Sequence, residues 1–232
     1  MMDFHKEELL YLARIAEQGE RYDEMIQFVK DLIIGQTDMS SQERNLLSVA
    51  FKNAVGKRRS SLRIIDNYSI RDEKKNIATK KIYLSKYRMQ IDTELKFLCN
   101  DAIETINNLL ETIEDVENRV FLFKMKADYY RYMCEYDRGE IKDANCDKAQ
   151  EYYEKATEIS KQLSEVNPIR LGLMLNFSVF YYEVKNEKDT ACDMARKAFD
   201  EGLTELDNAN ESYYKEATMI LQLFRDNLSL WT

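Results

Sequence analysis

Lys52, Arg59 and Arg63 stand at positions i, i+7 and i+11, a spacing that on an α-helix aligns three cations within about 20° of one another. Leu47, Phe51, Ala54, Leu62 and Ile65 occupy the other side of the same stretch. The apolar side faces a core, and the cations point away from it, roughly 140° from Leu47. Further along, Lys124 and Arg131 are again seven apart, with Asp128 between them on the same face and Tyr132 beside Arg131. Asp128 is placed to hold either cation in one rotamer. If the two helices pack as neighbours, Lys52, Arg59, Arg131 and the Tyr132 hydroxyl converge on one anion. Guanidinium forks match phosphate geometry, and charge-assisted hydrogen bonds are about twice as strong as neutral ones. The chemistry expected of such a set is capture of a phosphate dianion. The plainer interpretation is that each stripe is a solvated helix face. Lys57 and Arg58 add charge beside the first stripe without sharing its orientation, and solvated surface is the expectation for Lys57.

Two later segments mix apolar and amide positions. Leu175 and Val179 are four apart with Asn176 and Glu183 beside them, and Ile220, Leu223, Asn227 and Trp231 follow i, i+3, i+7 and i+11. Core packing accounts for leucines at such spacing, but an asparagine in mid-helix is less easily explained that way. A primary amide donates and accepts together, which suits it to both backbone groups of an extended peptide residue. Cations for a phosphate, amides for a main chain and leucines for flanking side chains are the combination that an extended phosphopeptide requires.

The elements that must hold these residues are helices. Six glycines and one proline in 232 residues leave little to build tight hairpins, while Glu, Lys, Leu, Ala and Met run throughout, so the chain is all-α. Apolar periodicity predicts helices at about 3–18, 20–34, 41–70, 76–110, 115–137, 147–163, 168–185, 188–206 and 211–230. Ser40-Ser41-Gln42-Glu43 resembles an N-cap with an acidic first turn, Asn167-Pro168 puts Pro at a first helical position, Asn210 opens the last helix, and Gly35 stops the second. No linker or low-complexity stretch divides the chain, which predicts one domain over 1–232 of about nine packed antiparallel helices. The stretch 168–206 is reminiscent of a tetratricopeptide repeat. A tetratricopeptide-like scaffold that binds unmodified peptides is therefore the alternative, although no 34-residue period recurs elsewhere.

Several function classes are excluded on composition. The net charge is −8 and the pI near 5.0, which argues against nucleic acid as partner. No apolar run approaches the roughly 20 residues that cross a bilayer, so no membrane association is expected. The opening MMDFHKEELLYLAR is neither a secretory nor a transit signal, and a cytoplasmic location follows. Cys99, Cys134, Cys146 and Cys192 form no C-x-x-C pair and are expected as buried free thiols. With His5 the sole histidine and no Gly-rich phosphate loop, triads and His-based metal centres lack their ligands. No enzyme activity, metal or cofactor is expected.

At these residues the chain closely resembles the 14-3-3 family. RNLLSVAFKNAVGKRRSS (44–61) and YKEATMILQLFRDNLSLW (214–231) are similar to its two signatures, KMKADYYRY (124–132) and NPIRLGLMLNFSVFYYE (167–183) to its other blocks, and similarity runs from about Phe4 to Trp231. The resemblance implies a nine-helix protomer in a cup-shaped dimer, with one amphipathic groove per protomer that takes phosphoserine or phosphothreonine segments of client proteins. Residues 1–110 would supply dimerisation and one groove wall, and 111–232 the remainder. By position it assigns Lys52, Arg59, Arg131 and Tyr132 to the phosphate, and Asn176 and Asn227, supported by Glu183 and Trp231, to the peptide backbone. Leu175, Val179, Ile220 and Leu223 form the apolar wall, with Arg63 and Lys124 nearby.

For the dimer, a homodimer or a mixture with paralogues, the resemblance sets the first two helices against the third and fourth of the partner. Ile15, Gly19, Ser61, Ile65 and Tyr87 match its contact positions, and Arg21 with Glu94 an inter-subunit ion pair. Departures are visible. Gln90 stands where a lysine usually meets the acid at Glu24, Leu62 replaces a tryptophan, 136–148 diverges, and the acidic tail is missing after Thr232. Since exposed ion pairs contribute about 0–1 kcal/mol, a dimer is expected to be weakened rather than abolished, and a groove without a competing tail is expected to be open. Ser61, after Arg58-Arg59-Ser60, lies in a context suited to basophilic kinases. A phosphate there would oppose dimerisation.

Overall fold

The computed structural model describes residues 5–74 and 78–232, and the described residues hold nine α-helices and no strand. Residues 3 and 4 of the first expected helix, and 76 and 77 of the fourth, lie outside the described residues. The chain divides into two compact units, residues up to Thr112 and residues from Ile113.

The first unit holds α1 (Lys6–Gln18), α2 (Tyr22–Ile33), α3 (Ser41–Lys74) and α4 (Ala78–Thr112). Each packs on the next through the helical spacing of its apolar residues: Leu9, Ala13 and Ala16 on α1, and Met25, Ile26, Val29, Leu32 and Ile33 on α2. The predicted core face of α3 is observed, with Leu47, Phe51, Ala54, Leu62 and Ile65 all buried. Gly35 follows α2 with φ +70°, a left-handed conformation that glycine adopts at little cost. Ser40 and Glu43 form a reciprocal cap at the start of α3. The Ser40 amide donates to Glu43 Oε2 at 2.9 Å and the Glu43 amide to Ser40 Oγ at 3.3 Å. Arg58 ties three helices together, donating to both Asp23 oxygens on α2 at 3.0 and 2.8 Å and to Glu94 on α4 at 3.3 Å.

The second unit holds α5 (Val116–Cys134), α6 (Gly139–Ser160), α7 (Pro168–Phe180), α8 (Lys188–Glu205) and α9 (Glu211–Trp231). Side-chain caps open three of them. Asp115 accepts from the Asn118 amide at 2.8 Å, Asn167 from those of Ile169 and Arg170 at 2.9 and 3.3 Å, and Asn210 from that of Tyr213 at 2.9 Å. Val166, Leu171, Leu175, Ala195, Ala198, Ala217, Leu221 and Phe224 make the core under α7, α8 and α9.

Several limits differ from the sequence expectation, among them the end of α3, at Lys74 rather than 70, and that of α6, at Ser160 rather than 163; three others have a visible cause. α5 ends at Cys134 rather than 137, because the amides of Tyr136 and Asp137 both turn back to the Met133 carbonyl. α6 begins at Gly139, eight residues before the expected 147. Gly139 takes φ +58° to enter the helix, and the Asn145 side-chain amide bonds Asp137 at 2.8 Å across the first turns. Finally, α7 does not run to 185 as an α-helix. Tyr181–Lys185 is a π-turn, closed by Asn186 at φ +57° and a 2.9 Å bond from the Glu187 amide to the Tyr181 carbonyl.

Candidate phosphate-binding site

In the second unit the predicted charges converge on one carboxylate. Asp128, buried on α5, receives Lys124 Nζ on Oδ2 at 2.8 Å, one turn earlier, and Arg131 Nη2 on Oδ1 at 3.4 Å. From α7 the Asn176 side-chain amide reaches both oxygens at 2.9 Å, and from α6 the Tyr153 hydroxyl donates to Oδ1. Burial alone would raise this carboxyl. Lys124 and Arg131, with the Lys124 and Tyr153 hydrogen bonds, outweigh it and hold Asp128 at about 2. The carboxylate is therefore a fixed negative charge that orients two cations.

Arg131 is only 6% exposed. Its Nε donates to the Tyr153 hydroxyl at 3.1 Å, and its guanidinium lies 4.7 Å from the centre of the Tyr132 ring. Although burial acts against the charge, the surrounding Tyr153, Tyr132 and Asp128 raise its pKa well above the ordinary arginine value. Tyr153 is itself locked, stacked at 5.0 Å on Phe177 of α7. It was not among the predicted site residues. Its one sequence signal is a place in the buried α6 series Ala149, Tyr153, Ala156.

Asn176 was assigned to a peptide backbone, and the structure engages its amide nitrogen with both Asp128 oxygens. Leu175 is buried, Val179 and Ile220 half-buried, and Leu223 50% exposed. Ile220 and Trp231 pack against the α7–α9 core, and the Trp231 ring stacks on Tyr182 of the π-turn at 4.5 Å. Asn227 is half-buried on α9, and Glu183 is exposed on the π-turn.

In the first unit Lys52 and Arg63 are exposed on α3 and Arg59 is half-buried there. Lys57, expected as solvated surface, is exposed but bonded to Glu20 at 2.7 Å and set 4.9 Å from the Tyr22 ring centre. Of the contact positions assigned to a dimer, Ile15, Gly19 and Tyr87 are exposed. Ser61 is half-buried and donates to the Lys57 carbonyl at 3.0 Å. Ile65 is buried in its own core, so it has little area left to offer a partner. Arg21 and Glu94 have partners within the chain: Arg21 forks onto Glu24, while Glu94 accepts from Arg58 and, at 3.2 Å, from Gln90.

The sequence model of the 14-3-3 protein family matches residues 12–232. The chain belongs to the 14-3-3 family. Among curated 14-3-3 relatives it is 45% identical over 228 residues to 14-3-3 protein 2 of Entamoeba histolytica, covering 98% of this chain and 96% of the relative. It is 46% identical over 236 residues to a 14-3-3 protein homolog of Neospora caninum, covering 98% and 89%. The checkpoint signal transducer rad24 of Schizosaccharomyces pombe is 44% identical over 229 residues, covering 98% and 85%. The all-α architecture is that of the 14-3-3 fold, and 14-3-3 proteins are phosphopeptide-binding adaptors, not tetratricopeptide scaffolds. Among the described residues no helix is long and apolar enough to cross a membrane.

Proposed function

We propose that this 14-3-3 chain clamps extended phosphoserine or phosphothreonine segments of client proteins, with Lys52, Arg59, Arg131 and Tyr132 as the phosphate ligands. The observation that carries the assignment is the state of Arg131: buried, oriented by Asp128 and Tyr153, and held in its charged form. A guanidinium fixed before its ligand arrives has lost its rotamer freedom in advance, which lowers the entropy cost of binding. Lys124 and Arg63 supply further positive potential. Asn176 and Asn227, with Glu183 and Trp231, read the main chain, and Leu175, Val179, Ile220 and Leu223 meet the flanking side chains.

The protein acts as an adaptor without catalytic activity, in the cytoplasm, on phosphorylated clients rather than on nucleic acid or a membrane. It works as a single 14-3-3 domain and as a dimer, with itself or with paralogues. Ile15, Gly19 and Tyr87, exposed on the first unit, are contact positions, joined by Ser61 and the edge of Ile65. For Arg21 and Glu94 to pair between subunits they must exchange their bonds to Glu24 and Arg58. That exchange and the glutamine at 90 make a weak dimer.

Fluorescence anisotropy with a phosphoserine peptide and its unphosphorylated twin tests the assignment. Arg59→Ala and Arg131→Ala are each expected to cost about 2–5 kcal/mol in affinity for the phosphorylated peptide, with no effect on the weak binding of its twin. Equal binding of the two peptides by the wild type would refute it.

A further inference from the structure

Cys134 and Cys146 are 12 positions apart, the second of them within the divergent segment 136–148, and the α5–α6 turn brings their helices side by side. α6 returns antiparallel after the short connection 135–138, and no pair of helices in the second unit packs more extensively than α5 and α6. A helical side chain leans toward its own N-terminus. Cys134, the last residue of α5, therefore leans down along α6, and Cys146, in the second turn of α6, leans back up toward it. The Cys134 thiol donates to the Lys142 carbonyl at 3.9 Å, and that carbonyl is the helical acceptor of the Cys146 amide one turn on, so the Cys134 sulfur lies beside the Cys146 backbone. Both are free in the structure and buried, Cys134 at 1% and Cys146 at 8% exposure.

We infer that Cys134 and Cys146 are a redox pair that a small hydroperoxide converts to a disulfide joining α5 to α6. The order of events follows from the burial. Cys146 is the more accessible thiol and reacts first: its sulfur attacks the peroxide, the O–O bond breaks, and hydroxide departs as water to leave a sulfenic acid. The Cys134 sulfur then attacks that sulfur. Its S–O bond breaks, and the departing hydroxide takes the Cys134 proton to form a second water. Two thiols and one hydrogen peroxide thus give one disulfide and two waters, with two electrons passing from sulfur to oxygen. Burial, the neighbouring Cys146 and the Asp137 carboxylate push the Cys134 thiol well above the ordinary cysteine range. The pair consequently stays reduced until the sulfenic acid forms, which suits a transient disulfide in a reducing compartment. The product fastens the end of α5 one turn beyond Arg131.

Oxidation of the purified full chain with hydrogen peroxide, followed by thiol titration in denaturant and peptide mapping, tests the pair. The wild type is expected to fall from four thiols to two, with a mapped Cys134–Cys146 bond and a melting temperature raised by about 5–10 °C. Cys146→Ala should keep its three thiols, whereas Cys134→Ala should stop at the Cys146 sulfenic acid, trapped as a dimedone adduct by mass spectrometry, with no disulfide mapped. If either fails to fold, Cys99→Ala/Cys192→Ala retains only the pair and must lose both thiols while remaining a single chain on a non-reducing gel. Four surviving wild-type thiols, or a bond that maps to Cys99 or Cys192 or links two chains, would overturn the inference.

Discussion

Truncating Asp128 to alanine leaves Arg131 as a buried guanidinium without its anion. Breaking one side of a buried pair costs about 3–5 kcal/mol, and urea unfolding of Asp128→Ala should show a loss of that size. Tyr153→Phe keeps the ring on Phe177 and removes only the hydroxyl shared by Asp128 and Arg131. A loss of about 1–2 kcal/mol is expected in the same measurement, together with weaker phosphopeptide binding as Arg131 regains freedom. The pairing of Lys124, Asp128 and Arg131 was legible in the sequence because residues three and four apart on one helix are obligatory neighbours. Tyr153 and the inward turn of the Asn176 amide were not, since both depend on which faces of α6 and α7 meet α5, and periodicity does not encode that partnership.

At the scale of the helix, the start of α3 offers the cleanest pH test. Glu43 is buried, caps Ser40 and receives Lys6 Nζ at 2.8 Å. Burial pushes its carboxyl up, but the bonds from Lys6, Ser40 and Gln36 prevail and hold it at about 2. A carboxyl depressed by folding contributes stability that is complete above its unfolded value of about 4.3 and disappears as pH falls toward 2. The wild type should therefore lose stability over that window. Glu43→Gln, already deprived of the charge, should show a flatter profile when melting temperature is followed against pH, and Ser40→Ala should cost about 1 kcal/mol at neutral pH. This cap was visible in the sequence from its Ser-x-x-Glu spacing, as were the Asn167-Pro168 and Asn210 starts. The early beginning of α6 was not: its first turns expose Ile141 and carry Asp, Glu and Asn, a composition with little amphipathic signal, and the stop–start is set by backbone turns at Met133 and Gly139.

For the molecule as a whole, the dimer proposal turns on apolar area that the first unit leaves uncovered. Ile15→Glu and Tyr87→Glu place charge at positions 48% and 52% exposed, where the fold of the unit itself loses little. Sedimentation velocity should show the double variant as a monomer with an unchanged helical circular dichroism spectrum. A dimer of undiminished strength would assign the contact to another face.

The charge balance around Asp128 carries one more consequence. Lys124 and Arg131 bring two positive charges to a site whose internal carboxylate cancels one, so part of each cation's hydrogen-bonding capacity is already committed before a client docks. If Arg131 is the phosphate ligand proposed above, a phosphoryl group, with nearly two charges and three acceptor oxygens, is the anion able to outcompete that commitment. A glutamate side chain, singly charged and with two oxygens, is no stronger than Asp128 itself. On the proposed assignment, clients whose regulated serine is replaced by glutamate should bind no better than the unmodified protein, and acidic surrogates would fail to switch such complexes on.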